Sequence, residues 1–449
     1  MALDRRDFLK WTGLTVTCAA AAMTGACSSG TPAPPLPPAA AAGRELMKIG
    51  LYTWDEISDL SNQVEWLNLT YARAGVMSDA LMSFCVDHHI DVLLNVSPTV
   101  DRAVFATEVE FISAYLAQID WALGRFGPRG TFWSDHPGVR YHPITQIEVC
   151  NEPNFGYGFS VGDAEVAPLY ARVLIASHGH IKATWPEVVV VGFAAGGASN
   201  AAPDFLSNTF AELQSAGQID CFDVVSVHPY SSNKPPEQTI IEEWGSWSSR
   251  ESIDSIRQVM QEFGVAKPLW ITEVGYQISH ADGGKFAVTI DNQQVTTETV
   301  TPLQQAAYTV RVNMAAARYD IPRVYHMFVL DTDDYNGGWF GPGPGHEPRL
   351  VAVAMRQVIN LLAGATNLEV VLDGAQDKPT DPFAYRFTTP RGTVLVAWCQ
   401  VAATFELQLE AGTRTVVTDL QGNVVATTQD AAYDAALSEE PIFLHSTPV

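Results

Sequence analysis

Eight short apolar, β-branched runs alternate with helical patterns between Lys48 and Leu362. The runs lie near Lys48–Thr53, Leu69–Val76, Ile90–Val96, Ile144–Val149, Val188–Gly192, Val224–His228, Leu269–Thr272 and Val324–Phe328. The clearest helical pattern runs from Val104 to Phe126. Ile112, Tyr115, Leu116, Ile119, Leu123 and Phe126 form one stripe there, and Gly127-Pro128 ends it. Gln304–Tyr319 and Arg250–Phe263 read as helices too. Strands with no polar face must be covered on both sides, so the alternation predicts a (β/α)8 TIM barrel over residues 48–362. A doubly wound open sheet is the alternative. It lacks support because no Gly-rich phosphate loop follows the first run.

Beyond Leu362 the period changes. Short segments at Leu368–Leu372, Phe383–Phe387, Thr393–Trp398, Thr404–Leu409, Thr415–Asp419 and Pro441–Leu444 mostly alternate apolar and polar residues. Asp419-Leu420-Gln421-Gly422-Asn423 reads as a turn. Residues 363–449 are therefore expected to form a small antiparallel, β-sandwich-like accessory domain beside the barrel. A strand from just before the barrel is a possible addition to it.

The first 26 residues read as an export leader rather than as fold. Asp4-Arg5-Arg6-Asp7-Phe8-Leu9-Lys10 resembles a twin-arginine signal, and the apolar run that follows is shorter and smaller in side chain than a membrane span needs. Thr24-Gly25-Ala26-Cys27 resembles a lipobox, making Cys27 the lipidation candidate. Residues 27–47 then read as a tether. An exported protein held in the envelope by Cys27, or secreted after plain cleavage, is the expectation. The formal charge of −24 becomes about −25 without the leader, which argues against nucleic acid and anionic lipid as partners. A membrane enters only through the anchor. Cys85, Cys150, Cys221 and Cys399 show no metal-ligand spacing and read as buried thiols.

Two glutamates carry the chemistry. Glu152 ends the run Ile147-Glu148-Val149-Cys150-Asn151 and precedes Pro153; Glu273 ends Leu269-Trp270-Ile271-Thr272 and is followed by Val274-Gly275. Each reads as a carboxylate delivered at the C-terminal end of a buried strand. The spacing of 121 residues from one to the other fits three β/α units. Two such carboxylates are what glycoside hydrolysis needs.

At these residues the chain resembles glycoside hydrolase clan A, most of all family 39 and related bacterial glycosidases. Glu148-Val149-Cys150-Asn151-Glu152-Pro153-Asn154 and Trp270-Ile271-Thr272-Glu273-Val274-Gly275 carry the resemblance. It implies Glu152 as general acid/base, Glu273 as nucleophile and Asn151 as a ligand of the sugar 2-hydroxyl. It further implies that Arg73, in Tyr71-Ala72-Arg73-Ala74-Gly75, keeps the nucleophile ionised. His228 and Tyr230, in Val227-His228-Pro229-Tyr230, match pocket residues. Cys150 departs from the aromatic residue frequent at its position. Tyr325-His326-Met327-Phe328 stands where a tryptophan is usual, which leaves His326 as the substrate contact on strand eight. Trp54, Tyr276 and Trp339 are the candidate sugar platforms.

The implied activity is a retaining glycosidase acting by double displacement on an envelope or extracellular polysaccharide or oligosaccharide, with no cofactor and no metal. Asp331-Thr332-Asp333-Asp334-Tyr335 does not suit calcium, because Tyr335 stands where a ligand belongs. A non-catalytic carbohydrate-binding lipoprotein and a transglycosylase using the same residues are the alternatives.

Overall fold

The computed structural model describes residues 46–449 apart from 54–56, 58, 198–200, 232, 243–244, 279–284, 291–292, 333–334 and 376–377. The leader, nearly all of the tether, Cys27 and Trp54 lie outside the described residues.

Eight parallel strands close into a barrel. They are β1 (Lys48–Thr53), β2 (Tyr71–Ala74), β3 (Asp91–Val96), β4 (Gln146–Val149), β5 (Val189–Gly196), β6 (Val224–His228), β7 (Leu269–Val274) and β8 (Arg323–His326). Each strand pairs with its sequence neighbours, and β1 closes on β8. A main helix follows each strand: α1 (Ser61–Leu67), α2 (Asp79–Asp87), α3 (Glu108–Phe126), α4 (Asp163–Thr184), α5 (Ala201–Ser215), α6 (Ser249–Glu262), α7 (Pro302–Arg318) and α8 (Leu350–Leu361), and a short extra helix, Thr131–Asp135, comes after α3. The fold is a (β/α)8 barrel, as the alternation predicts. Local chemistry sets the helix ends. Thr107 and Glu110 form a capping box on α3, and Gly127 ends it; Thr301 and Gln304 form another on α7 with Pro302 at its start. Two antiparallel hairpins, Ile240–Glu242 with Gly245–Trp247 and Lys285–Ile290 with Gln293–Glu298, are additions that the alternation does not anticipate.

The barrel interior is layered. Leu93, Val191, Val224, Trp270 and Tyr325 fill the N-terminal end. Above them comes a polar layer, Arg73, Asn95, Glu148 and Ser226, on the next inward positions of their strands. The two catalytic candidates stand above that.

After α8 come β9 (Asn367–Leu372), β10 (Pro382–Thr389), β11 (Gly392–Cys399), β12 (Ala403–Gln408), β13 (Thr413–Thr418), β14 (Val424–Thr428), β15 (Ala432–Leu437) and β16 (Ile442–Pro448). Six form one antiparallel sheet in the order β9-β10-β11-β16-β13-β14, and β12 pairs with β15 in a second. The strands β14 (VVATT) and β15 (AYDAAL) escape sequence reading although they carry apolar residues: Val424 and Val425 of β14 are exposed, and in β15 small alanines stand among the apolar positions. Among the described residues this sheet takes no strand from before the barrel; Leu46 instead donates its N–H to Ala365 O at 3.0 Å. The inner face of the large sheet, with Phe383, Phe387, Val394, Trp398 and Phe443, belongs to the same apolar cluster as Val351, Met355 and Val358 of α8. Cys85, Cys150, Cys221 and Cys399 are buried free thiols.

Candidate active site

Strand register explains how the site is aimed. On β7 the pairing with β8 passes from Ile271↔Val324 to Val274↔His326, so β7 carries one extra residue. That bulge lets consecutive residues Thr272 and Glu273 both make contacts inside the barrel. β5 has the matching irregularity between Gly192 and Ala195, where Phe193 and Ala194 adopt φ of 84° and 40°. At the end of β4, Cys150 and Glu152 adopt φ of 67° and 42°. Such backbone costs about 1–3 kcal/mol per residue and persists only when its surroundings enforce it. Two helix tyrosines do so. Tyr115 of α3 donates to Val96 O (2.7 Å) and accepts from Cys150 N–H (3.0 Å); Tyr170 of α4 donates to Val149 O (3.2 Å) and accepts from Phe193 N–H. Glu152 N–H donates to Ala194 O at 3.0 Å, tying the two strained ends together.

Arg73 is fully buried at the centre. It donates from Nε to Glu148 Oε2 (2.8 Å), from Nη1 to Glu273 Oε2 (2.9 Å) and from Nη2 to Asn151 Oδ1 (2.6 Å). Its ring-facing side lies 4.8 Å above Tyr52. Holding Asn151 Oδ1 turns that residue's N–H2 the other way. Glu148 also accepts from Asn95 Nδ2 (3.0 Å) and Ser226 Oγ (2.7 Å), and Arg73 holds its carboxyl below the usual range in spite of burial.

Glu273 is 2% exposed, and its second oxygen accepts from Tyr230 Oη at 2.7 Å. Burial pushes its carboxyl above the ordinary value, against the pull of His228 and Arg73. The expectation that Arg73 holds Glu273 low is corrected in this respect. The contact is present, but Glu148 and Asn151 share the guanidinium and desolvation outweighs the remainder. Burial pushes Glu152 up to about 7, with Arg73 opposing. Glu152 Oε1 faces His228 Nδ1 at 2.8 Å, and His228 Nε2 lies 3.1 Å from Thr272 Oγ1. Burial drives His228 down to about 4, so the ring is neutral at neutral pH.

Glu152, Glu273, Asn151, Arg73, His228 and Tyr230 therefore converge. Three other candidates do not. His326 is inward by analogy only: its Nε2 meets Asn313 of α7 at 3.0 Å and its ring lies 5.3 Å from Trp339, on the helix side of the barrel. Strand alternation turns Tyr325 and Met327 inward and His326 outward. Trp339 is 1% exposed in the main core. Tyr276 is equally buried, edge-on to Tyr308 of α7 at 5.5 Å. None of these three is a sugar platform. Asp331, first of the run that does not suit calcium, is committed to Arg349 and to Gly338 N–H. Sequence reasoning missed Glu148, Asn95, Ser226 and Thr272; the inward alternation that places Arg73 would have found the first three.

Glu152, His228 and Glu273 are the one group among the described residues whose ligand atoms cluster as a metal site would need, all within 4.8 Å. Their geometry is equally that of a hydrogen-bonded acid, imidazole and second carboxyl.

Residues 137–330 match the family model described as glycosyl hydrolase catalytic core. That stretch carries β4 to β8 and both glutamates, and the match supports a glycosidase. Among solved structures, the chain is similar to a monomeric β-xylosidase from Caulobacter crescentus CB15, with 13% identity, 92% of this chain and 98% of that one covered, and a TM-score of 0.55. A GH39 enzyme from Xanthomonas axonopodis pv. citri gives 13%, 92%, 96% and 0.55, and an α-L-arabinofuranosidase from Thermotoga maritima gives 12%, 87%, 90% and 0.57. At such identities the likeness establishes the fold, a (β/α)8 barrel with a C-terminal antiparallel sheet. No curated protein sequence matches the chain.

Proposed function

We propose that this protein is a retaining glycoside hydrolase, with Glu273 as nucleophile and Glu152 as acid/base. The observation that carries the reading is the approach of the two carboxyls, whose oxygens lie within 4.8 Å. Retaining enzymes place them about 5–5.5 Å apart, whereas inverting ones leave about 6.5–9.5 Å for a water between them. The donors support these roles. Both Glu273 oxygens receive N–H or O–H donors, from Arg73 and Tyr230, which favours the anion. Glu152 meets a neutral imidazole and is the carboxyl that keeps a proton to about pH 7.

In the first step Glu273 attacks the anomeric carbon while Glu152 gives its proton to the leaving oxygen. In the second, Glu152 takes a proton from water, which displaces Glu273 from the glycosyl ester. A non-catalytic binding role has less support, because both carboxyls and all their donors are in place.

The first substrates to test are pentosides, since a β-xylosidase and an α-L-arabinofuranosidase are among the similar structures. Proton NMR of the first product decides the stereochemistry; retention is expected and inversion would overturn the reading. Export and anchoring rest on Arg5-Arg6 and Cys27 in the sequence. Arg5→Lys with Arg6→Lys is expected to leave precursor in the cytoplasm, and Cys27→Ala to release the protein from membranes.

A further inference from the structure

We propose that the phenol of Tyr335 binds one hydroxyl of the sugar that reacts at Glu273. The proposal rests on the glycosidase reading and adds a substrate contact to it. Tyr335 lies between β8 and α8 and packs with Tyr52, Met327 and Phe328 in a small cluster that Tyr230 adjoins. Tyr52 is the residue beneath Arg73, and Tyr230 donates to Glu273, so this cluster lies along the same side of the site.

The ring is held in one place. Phe328 meets it edge-on at 5.1 Å. Tyr335 N–H donates to Thr332 Oγ1 at 3.0 Å, and the next residue, Asn336, donates from Nδ2 to Ile278 O at 2.8 Å. Gln305 Nε2 donates to Gly337 O at 2.8 Å. A Cβ on Gly337 would fall 2.3 Å from the ring, and a Cβ on Gly275 would fall 2.3 Å from the phenol oxygen. The hydroxyl thus stands over the backbone two residues beyond Glu273.

Tyr335 is only 5% exposed, yet its hydroxyl has no hydrogen-bond partner among the described residues. Tyr230 beside it spends its own hydroxyl on Glu273. A buried hydroxyl is ordinarily satisfied. A ring fixed this firmly, with its one polar atom unpartnered against Gly275, two residues past the nucleophile, suits a ligand that brings its own hydroxyls. A neutral glycoside does so at successive carbons.

Tyr335→Phe removes the oxygen alone. The test compares wild type and variant on a panel of 4-nitrophenyl glycosides that includes the β-D-xylopyranoside and α-L-arabinofuranoside, then on the monodeoxy analogues of the best one. The variant is expected to lose about ten- to a hundredfold in kcat/KM on the parent, with an unchanged melting temperature. On one deoxy analogue the two enzymes are expected to be equal, while the gap persists on the others. An undiminished kcat/KM, or an equal loss on parent and every analogue, would overturn the contact and leave the glycosidase reading intact. A wild-type enzyme that hydrolyses none of the panel would remove both.

Discussion

Nδ1 of His228 stands 2.8 Å from Oε1 of Glu152, and the imidazole between Glu152 and Thr272 is fully buried. On its other side the ring meets the Thr272 hydroxyl, 3.1 Å from Nε2. A neutral ring with its proton on Nε2, donated to Thr272, turns the Nδ1 lone pair toward Glu152 and favours the protonated carboxyl.

Glu152 must carry its proton for the first step, so kcat/KM should fall as pH rises through about 7. Thr272→Val, which frees the ring to present Nδ1–H instead, should move that limb to lower pH. The same raised pKa acts on folding. The native state holds the proton between the ordinary 4.5 and about 7, so this stabilisation is full below 4.5 and is lost as pH rises through 7. Melting curves of Glu152→Gln should lack that component; an identical pH dependence would contradict the assignment.

Glu273→Ala should abolish turnover of every substrate, because no glycosyl ester can form. Glu152→Ala should keep activity toward aryl glycosides whose leaving group needs little protonation, and azide should accelerate it by attacking the ester. Rates with and without azide, and the configuration of the glycosyl azide, check both.

Arg73→Met strands Glu148 and Glu273 in the interior. Removing one partner of a buried pair costs about 3–5 kcal/mol. Urea unfolding should show a loss of this size at pH 7 and a smaller one at pH 5, where the stranded carboxyls take up protons. An equal loss at both values would mean that charge is not the cause.

Gly196→Ala places a methyl 2.6 Å from Glu152 Oε1 and 2.4 Å from Phe155 Cε2. Asn154, bonded to both the N–H and the carbonyl of Gly196, keeps that backbone in place, so the side chains must give way. We expect kcat to fall about tenfold or more through misplacement of the acid. A variant with full kcat would show that Glu152 has slack.

Truncation after Leu362 removes Phe383, Phe387, Trp398 and Phe443 from the cluster that also holds α8, and removes Asp373, which pairs with Arg250 of α6 and Arg318 of α7. The uncovered helices should aggregate. Light scattering of the shortened chain checks this; a soluble, fully active product would show that the two parts fold apart.

How much of this was legible beforehand follows from the range of the forces involved. Strand and helix period are local, so all eight barrel strands could be read from apolar spacing alone, as could the helix expected from Val104 to Phe126, which in fact starts at Glu108 because Thr107 caps it. The Asn151-Glu152-Pro153 and Thr272-Glu273 runs placed both carboxyls at strand ends for the same reason. The β14–β15 region was not read: Val424 and Val425 of β14 face solvent, and the inward alternation of β15 is carried by small Ala435 and by Leu437 over too short a run to mark a strand.

What tertiary structure decided is direction and environment. Whether Glu273 faces inward depends on a bulge in β7 against β8, and no local pattern in Trp270-Ile271-Thr272-Glu273 records it. His326, Tyr276 and Trp339 are aromatic or polar residues at the right end of the barrel, yet packing against α7 and the core turns them away. The charge states of Glu152, Glu273 and His228 likewise come from burial and from one shared guanidinium, quantities that exist only after β2, β4, β6 and β7 have closed around each other. Sequence determined which residues arrive at the mouth of the barrel; closure determined which of them meet and where the proton resides.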